Sequence, residues 1–321
     1  MVRKIDISKL VDQILLNAVS INSSGLYNGK AGLSLALFEA SRYSNDENIE
    51  NEAFLFLQEA LVIKSQDYSF ENGLSGIGYV LCYLIKNKFI EADFNEIFGK
   101  QYEQVIKDII TIRNDPERLL RSLKIIYFLS IVREINGKDK RINEIIKAVF
   151  EGLELYLSLQ FYDWNDDIYY VNNKTDVLET YETYLKLLEY SEYSDFSKLL
   201  LRDYTDLYRK NKILSSYTVG HYLQRLTTKY GISDYKDVIE FNINNGLKNI
   251  YMNALTLKEK IEIMCLIHED NDIFNNNEAV ETIIKNIDMK IIPDGQSIPI
   301  DYQNGLARYL AFYVNRNIPQ L

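Results

Sequence analysis

Residues Gly25 to Arg42 read Gly-Leu-Tyr-Asn-Gly-Lys-Ala-Gly-Leu-Ser-Leu-Ala-Leu-Phe-Glu-Ala-Ser-Arg, a tight glycine-bearing entry followed at once by an apolar, helix-forming run. The pattern returns as Phe70-Glu-Asn-Gly-Leu-Ser-Gly-Ile-Gly-Tyr-Val-Leu-Cys82 and as Tyr302-Gln-Asn-Gly-Leu-Ala-Arg-Tyr-Leu-Ala-Phe-Tyr-Val314. Each copy carries an aromatic residue or Leu, one spacer (Tyr27, Glu71 or Gln303), then Asn-Gly, then Leu or Lys, then a small residue. Gly29 and Gly73 are 44 residues apart, and Gly29 to Gly305 is 276, six intervals of 46. An ordinary loop-to-helix junction would explain one copy. Three copies in phase point to an internal repeat, which decides the fold before any local reading does. Asn before each helix is expected to act as its N-cap, and the glycine to let neighbouring helices approach closely.

Outward from these copies the chain alternates amphipathic and more uniformly apolar helical stretches. Ile7 to Ser20 places Leu10, Val11, Ile14, Leu15 and Ala18 on one stripe, and 49 to 64 does so through Ala53, Phe54, Leu57 and Leu61. Asn114-Asp-Pro-Glu117 reads as a helix start with proline at the first helical position, and Leu119 to Ile135 as a third buried helix. Phe161 to Asp176 interrupts the rhythm. Ile168-Tyr-Tyr-Val171 followed by Asn172-Asn173 suggests a short hairpin, inserted over residues 161–176. The later stretches complete seven pairs, whose second members begin near residues 30, 73, 117, 178, 217, 256 and 303. No linker divides them, so residues 1–321 are expected to form one all-α domain. Seven hairpins with short connections can close into an α/α toroid of two concentric rings. Parallel inner helices would gather their positive dipole ends at one pole, a polar mouth suited to a ligand.

Composition agrees. Of 321 residues 47% are hydrophobic, and only four are proline. The formal charge of −10 argues against a nucleic-acid surface and favours a basic peptide segment as partner. Twenty-five tyrosines can line a polar cavity or fill helix interfaces. Two cysteines give no disulfide framework. The N-terminus lacks a signal-type apolar run, and no stretch has membrane-spanning length, so a cytoplasmic location is expected.

The glycine motifs and the seven-pair period resemble the lanthionine synthetase C-like proteins. The resemblance rests on Leu26-Tyr-Asn-Gly-Lys-Ala-Gly-Leu33, Phe70-Glu-Asn-Gly-Leu-Ser-Gly-Ile-Gly78 and Tyr302-Gln-Asn-Gly-Leu-Ala307. It implies a double ring of seven inner and seven outer helices. It also implies a peptide cyclase that adds a cysteine thiol to dehydroalanine or dehydrobutyrine. There a zinc ion held by two cysteines and a histidine favours the thiolate, the nucleophilic form. The ligand elements of that family, Trp-Cys-x-Gly at the fifth inner helix and Cys-His-Gly at the sixth, are not found here. Aligned on Gly220, the fifth junction reads Leu214-Ser-Ser-Tyr-Thr-Val-Gly220, with Ser215 about where a cysteine belongs. The sixth reads Asn253-Ala-Leu-Thr-Leu-Lys258, and the fourth reads Leu178-Glu-Thr-Tyr-Glu-Thr183 without the family's histidine-glycine element.

No metal or other cofactor is therefore expected. A relocated zinc site would fall back on Cys265 and His268, spaced for one helix face, but zinc takes three protein ligands or more. Cys82 and Cys265 read otherwise as buried thiols. His221, at the mouth of an inner helix, is the stronger candidate for chemistry, against an ordinary hydrogen-bonded histidine. Asp115, Glu117, Asp176, Glu179, Glu182 and Asp301 stand at expected helix starts, where acids complement the dipole. A paired acid and base drawn from Asp115, Glu182 and Asp301 would instead suit glycoside hydrolysis or a lyase. Asp163-Trp-Asn-Asp-Asp167 lacks calcium-loop spacing and reads as a solvated loop anchored by Trp164. Three readings follow. The first is a zinc-less protein of peptide modification that binds a peptide or a modifying enzyme through Asn28, Asn72, Tyr217, His221, Asp301 and Asn304. The others are a cyclase with relocated ligands and a toroid enzyme acting on saccharides.

Overall fold

The computed structural model describes residues 7–62, 65–112, 115–137, 139–165, 174–250, 254–271, 299–315, 318, 319 and 321. Every regular element among them is helical, and the described residues contain no strand. In chain order the helices are α1 (Ile7–Ala18), α2 (Lys30–Ser44), α3 (Glu47–Val62), α4 (Leu74–Lys86), α5 (Phe94–Ile112), α6 (Pro116–Arg121) and α7 (Ile125–Ile135). They continue with α8 (Arg141–Asn165), α9 (Lys174–Ser191), α10 (Lys198–Arg209), α11 (Tyr217–Tyr230), α12 (Lys236–Asn249), α13 (Leu257–Asn271) and α14 (Leu306–Val314). None of them is long and apolar enough to cross a membrane. The expected outer helix over 278–289 and the hairpin residues Ile168 to Val171 lie outside the described residues.

The inner and outer members differ as the patterns require. In α2 every residue from Ala31 to Ser41 is buried, and in α4 every residue from Leu74 to Leu84. Such helices have no wet face, so their sequences carry no polar stripe. The outer α3 buries only Ala53, Leu57 and Ala60, and leaves Phe54 43% exposed. The phenylalanine placed on the buried stripe thus falls outside it, because the actual contact face of α3 is narrow and lined by alanine.

Three boundaries depart from the sequence reading. The third inner helix is broken. Asp115 caps α6 by accepting the Arg118 N–H at 3.2 Å with Pro116 next to it, as expected, but the helix stops at Arg121. The chain then turns through Ser122 to Lys124 on short-range bonds such as Ile125 N–H to Ser122 O (3.0 Å) before α7 resumes. The outer α8 runs on through Asn165, so Phe161–Asn165 is helix rather than the start of an insertion, and Trp164 is buried in it. Lys212 satisfies the end of α8 by donating to the carbonyls of Trp164 (3.2 Å) and Asn165 (2.7 Å). Helix α9 begins at Lys174, so Leu178–Thr183 lies inside it and not at its opening.

The chain divides into two compact units, Met1–Ile106 with Met252–Leu321, and Lys107–Tyr251. In the first unit α14 packs beside α2 and α13, and α2 beside α3 and α4, so the last inner helix neighbours the first. In the second, α9 packs against α7 and α11, with α8, α10 and α12 as the outer members.

Candidate functional site

The three Asn-Gly openings share the first unit and fold alike. The residue after each glycine donates its N–H to the carbonyl seven positions earlier: Lys30 to Ser23 (2.9 Å), Leu74 to Asp67 (2.8 Å) and Leu306 to Pro299 (2.7 Å). The next residue repeats the reach, Ala31 to Ser24 and Ala307 to Ile300, both 3.2 Å, while Ser75 uses its hydroxyl on Tyr68 O (2.5 Å). These loop carbonyls satisfy donors that a helix start leaves without intrahelical partners. The glycine itself, not the asparagine, is the N-cap, extended at φ −143°, −105° and −121° at Gly29, Gly73 and Gly305, with no side-chain cap. Any residue could adopt that backbone. Glycine is needed because a Cβ there would collide with the returning loop, at Gly305 lying 2.6 Å from Asp301 O.

The asparagines serve the neighbouring openings instead. Asn72 Oδ1 accepts the Asn28 N–H at 3.1 Å, and Asn304 Oδ1 accepts the N–H of Lys258 in the first turn of α13 at 3.2 Å. Main-chain bonds continue the lacing: Tyr27 N–H to Glu71 O (2.7 Å), and Tyr302 N–H to Tyr27 O (2.8 Å). The expectation of asparagine caps is thus corrected. Each of these two amides joins one repeat to the next, which no reading of a single repeat can reveal.

Around Tyr27, itself 3% exposed, the openings gather two cations. Lys258 Nζ donates to the Tyr27 hydroxyl at 3.0 Å. The Arg308 guanidinium, 2% exposed, lies 4.8 Å from the Tyr302 ring centre and donates Nε–H to Tyr302 O (2.8 Å) and Gln303 O (3.0 Å). Burial pushes the Tyr302 phenol up to about 12, so it stays protonated and neutral. Asp301 accepts the Asn304 N–H at 2.8 Å and so belongs to the loop. Asn28 is exposed.

Deeper in this unit Glu39, 4% exposed, joins three inner elements. Its carboxylate accepts the Tyr83 O–H from α4 at 2.6 Å and the Asn315 amide after α14 at 3.0 Å. Burial first, then the Glu39 carboxylate, raise the Tyr83 phenol far above its usual value. The acid in the apolar run Leu37-Phe-Glu-Ala40 was the available sequence signal for this cluster. Cys82 is buried, and desolvation raises its thiol, which makes it a poor nucleophile. Cys265 is 7% exposed, and the side chain of His268 lies outside the described residues.

In the second unit the opening of α11 is a serine cap. Ser216 Oγ accepts the Val219 N–H (3.3 Å) and donates to Glu182 Oε1 of α9 (2.5 Å), while its own N–H goes to Asn242 Oδ1 (3.0 Å). Ser215 Oγ is 2.7 Å from the Tyr208 hydroxyl. Tyr217 and His221, expected on a rim, are 4% and 1% exposed. For Tyr217 a backbone approach explains it: a Cβ on Gly246 of α12 would lie 2.7 Å from Tyr217 Cα, so α12 covers the first residue of α11. Asp115 and Glu182 both belong to this unit, one as a cap and the other on Ser216.

The zinc that the family resemblance implies would draw its ligands from the fifth and sixth openings. At the fifth opening stand Ser215 and Ser216, whose hydroxyls are engaged as above. At the sixth, Thr256 Oγ1 donates to Glu259 at 2.7 Å and Lys258 brings a cation. Among the described residues no three His, Cys, Asp or Glu side chains group as metal ligands would.

No curated protein and no solved structure matches the chain. The family model for lanthionine synthetase C-like proteins matches residues 6–178, from the first helix through both N-terminal Asn-Gly openings and into α9. That is more than half of the sequence, and the all-helical alternation of inner and outer members accords with it. The chain belongs to the lanthionine synthetase C-like family.

Proposed function

We propose that the protein acts in peptide modification as a zinc-independent member of its family, binding a peptide or the enzyme that modifies it rather than closing thioether rings. The supporting observation is the contrast between openings. The Asn-Gly loops that build the scaffold keep one hydrogen-bonding scheme in three copies, while the two openings assigned to zinc ligands carry hydroxyls and a lysine. A serine hydroxyl is a poor zinc ligand, and an ammonium repels the ion. Among the described residues no donor set is grouped to hold a Lewis acid that would lower a substrate thiol's pKa, which favours binding over ring closure.

The test uses the purified full-length chain and a peptide carrying one cysteine and one dehydroalanine. Anisotropy of the labelled peptide is expected to report binding, while alkylation shows the thiol still free and elemental analysis shows no stoichiometric zinc. Stoichiometric zinc with loss of the thiol would overturn the reading in favour of a cyclase using Cys265 and His268. Glycoside cleavage that disappears in Asp115→Ala, Glu182→Ala or Asp301→Ala would replace it with a saccharide enzyme.

A further inference from the structure

Within the second unit a cleft of about 560 Å³ opens between the end of α10, the loop that follows it, and one face of α12. That volume lies in the range of small-ligand sites, roughly 300–1,000 Å³. Helix α12 presents Asp237, Phe241, Asn245 and Lys248 to it, a stripe at helical spacing. The opposite wall carries Leu214 and Arg209. Leu214 is 83% and Phe241 57% exposed, so two large apolar side chains face water in the same cleft. The packing of α12 on α11 does not need them, since Asn242 and Ile243 make that contact at Gly220, while the buried Val238 forms the floor of the cleft.

Charge selects the occupant. Arg209 grips Asp237 through a fork of bonds at 2.8 to 3.1 Å, and this pairing holds the Asp237 carboxyl below its usual value. One end of the cleft is thereby neutralised. At the other end Lys248 is exposed, and no carboxylate pairs with it among the described residues. The lining is cationic on balance although the whole chain carries −10. Screening over about 8 Å at physiological salt makes the local sign, not the global one, decide what docks. The expectation of a basic ligand, drawn from total charge, therefore does not extend to this cleft.

We infer that the cleft is a docking site for a peptide segment in which a carboxylate neighbours a large apolar side chain. The apolar side chain sits between Leu214 and Phe241, the carboxylate reaches Lys248, and Asn245 offers an amide to the peptide backbone. The inference rests on the reading of the chain as a peptide-binding protein, and it adds a place and a chemistry to it.

The probe is a short fluorescein-labelled peptide with Asp beside Phe, compared with the same peptide bearing Asn or Lys in place of Asp. Anisotropy is expected to show binding of the Asp peptide to the full-length protein, weakened about tenfold by Phe241→Ala, in keeping with the loss of an aromatic anchor. Lys248→Glu is expected to weaken the Asp peptide about threefold to tenfold and to reverse the preference in favour of the Lys peptide. Both side chains are exposed, and a retained helical circular-dichroism spectrum checks the fold. Equal binding of the Asp and Asn peptides, or unchanged affinity in both variants, would overturn the inference. The dehydroalanine peptide is run on the same proteins. If it binds while the Asp peptide does not, the cleft inference falls and the proposed function stands. If the Asp peptide binds with the expected variant effects and the dehydroalanine peptide does not, the proposed function falls and the cleft stands.

Discussion

Replacing Gly32 by alanine adds a single methyl group, yet the surroundings make it a severe change. The new Cβ would lie 2.5 Å from Tyr302 Cβ and press on the Leu26 carbonyl. Carbon atoms in contact sit at about 3.5–4.0 Å, so Tyr302 must withdraw by about 1 Å. It has little room to do so. Tyr302 is 1% exposed, its N–H is bonded to Tyr27 O at 2.8 Å, and its carbonyl receives Arg308 Nε–H at 2.8 Å. Overpacking costs about 1–3 kcal/mol, and weakening the bonds that tie the last opening to the first adds about 1 kcal/mol each. A loss of about 3–5 kcal/mol is expected for Gly32→Ala. The matched control is Gly99→Ala in the interior of α5, where the nearest atom to the new Cβ is Asn95 Cβ at 3.8 Å. There alanine's better helix propensity should stabilise by about 0.5–1 kcal/mol. Denaturant titrations followed by circular dichroism, with the slope held in common, give the comparison directly. Two variants of identical chemistry should differ by about 3.5–6 kcal/mol. If they fall within 1 kcal/mol of each other, the close apposition of the first and last repeats is refuted.

Further changes test other joints. Tyr83→Phe removes an O–H donor from the buried Glu39 carboxylate and should cost about 2 kcal/mol in the same titration, while a neutral result would mean that water or rearrangement replaces the bond. Ser216→Ala loses the cap of α11 together with the bond to Glu182, an expected loss of about 1–2 kcal/mol that Ser216→Thr should largely restore; equal stability of all three proteins would refute the role. Burial holds the Glu154 carboxyl above its usual value of 4.5 despite the Tyr184 O–H and Ser197 N–H that it accepts. A carboxyl raised in the folded state contributes stability at low pH and loses it as pH climbs from its ordinary range through the raised value. Glu154→Gln keeps both bonds, which fall on one oxygen, and should show a shallower decline over that window. Parallel stability–pH curves for the two proteins would count against it.

Much of the fold was legible because its causes are local. Uniformly apolar runs such as Ala31 to Ser41 and Leu74 to Leu84 have to be buried all round wherever they pack. The Asn-Gly loops close through carbonyls seven residues back, so their signature fits within a short stretch and survives in three copies. Proline after Asp115 fixed the start of α6, but nothing in Leu119 to Ile135 announced the break at Ser122, where continuing the apolar run was equally compatible with the pattern.

What tertiary structure decided was how each polar side chain is spent. Asn72 and Asn304 look like caps in sequence, and only the neighbouring repeat shows that their oxygens hold Asn28 and Lys258. Tyr217 and His221 stand in the first turns of a helix, yet both are buried, Tyr217 because Gly246 admits the close approach of α12. Glu39 finds Tyr83 44 residues away and Asn315 276 residues away. The cleft is assembled from residues 208–215 and 237–248, with no shared motif to connect them. Sequence periodicity reports which face of a helix is apolar. A hydrogen bond depends on which group stands within about 3 Å, and across repeats that distance is set by packing alone.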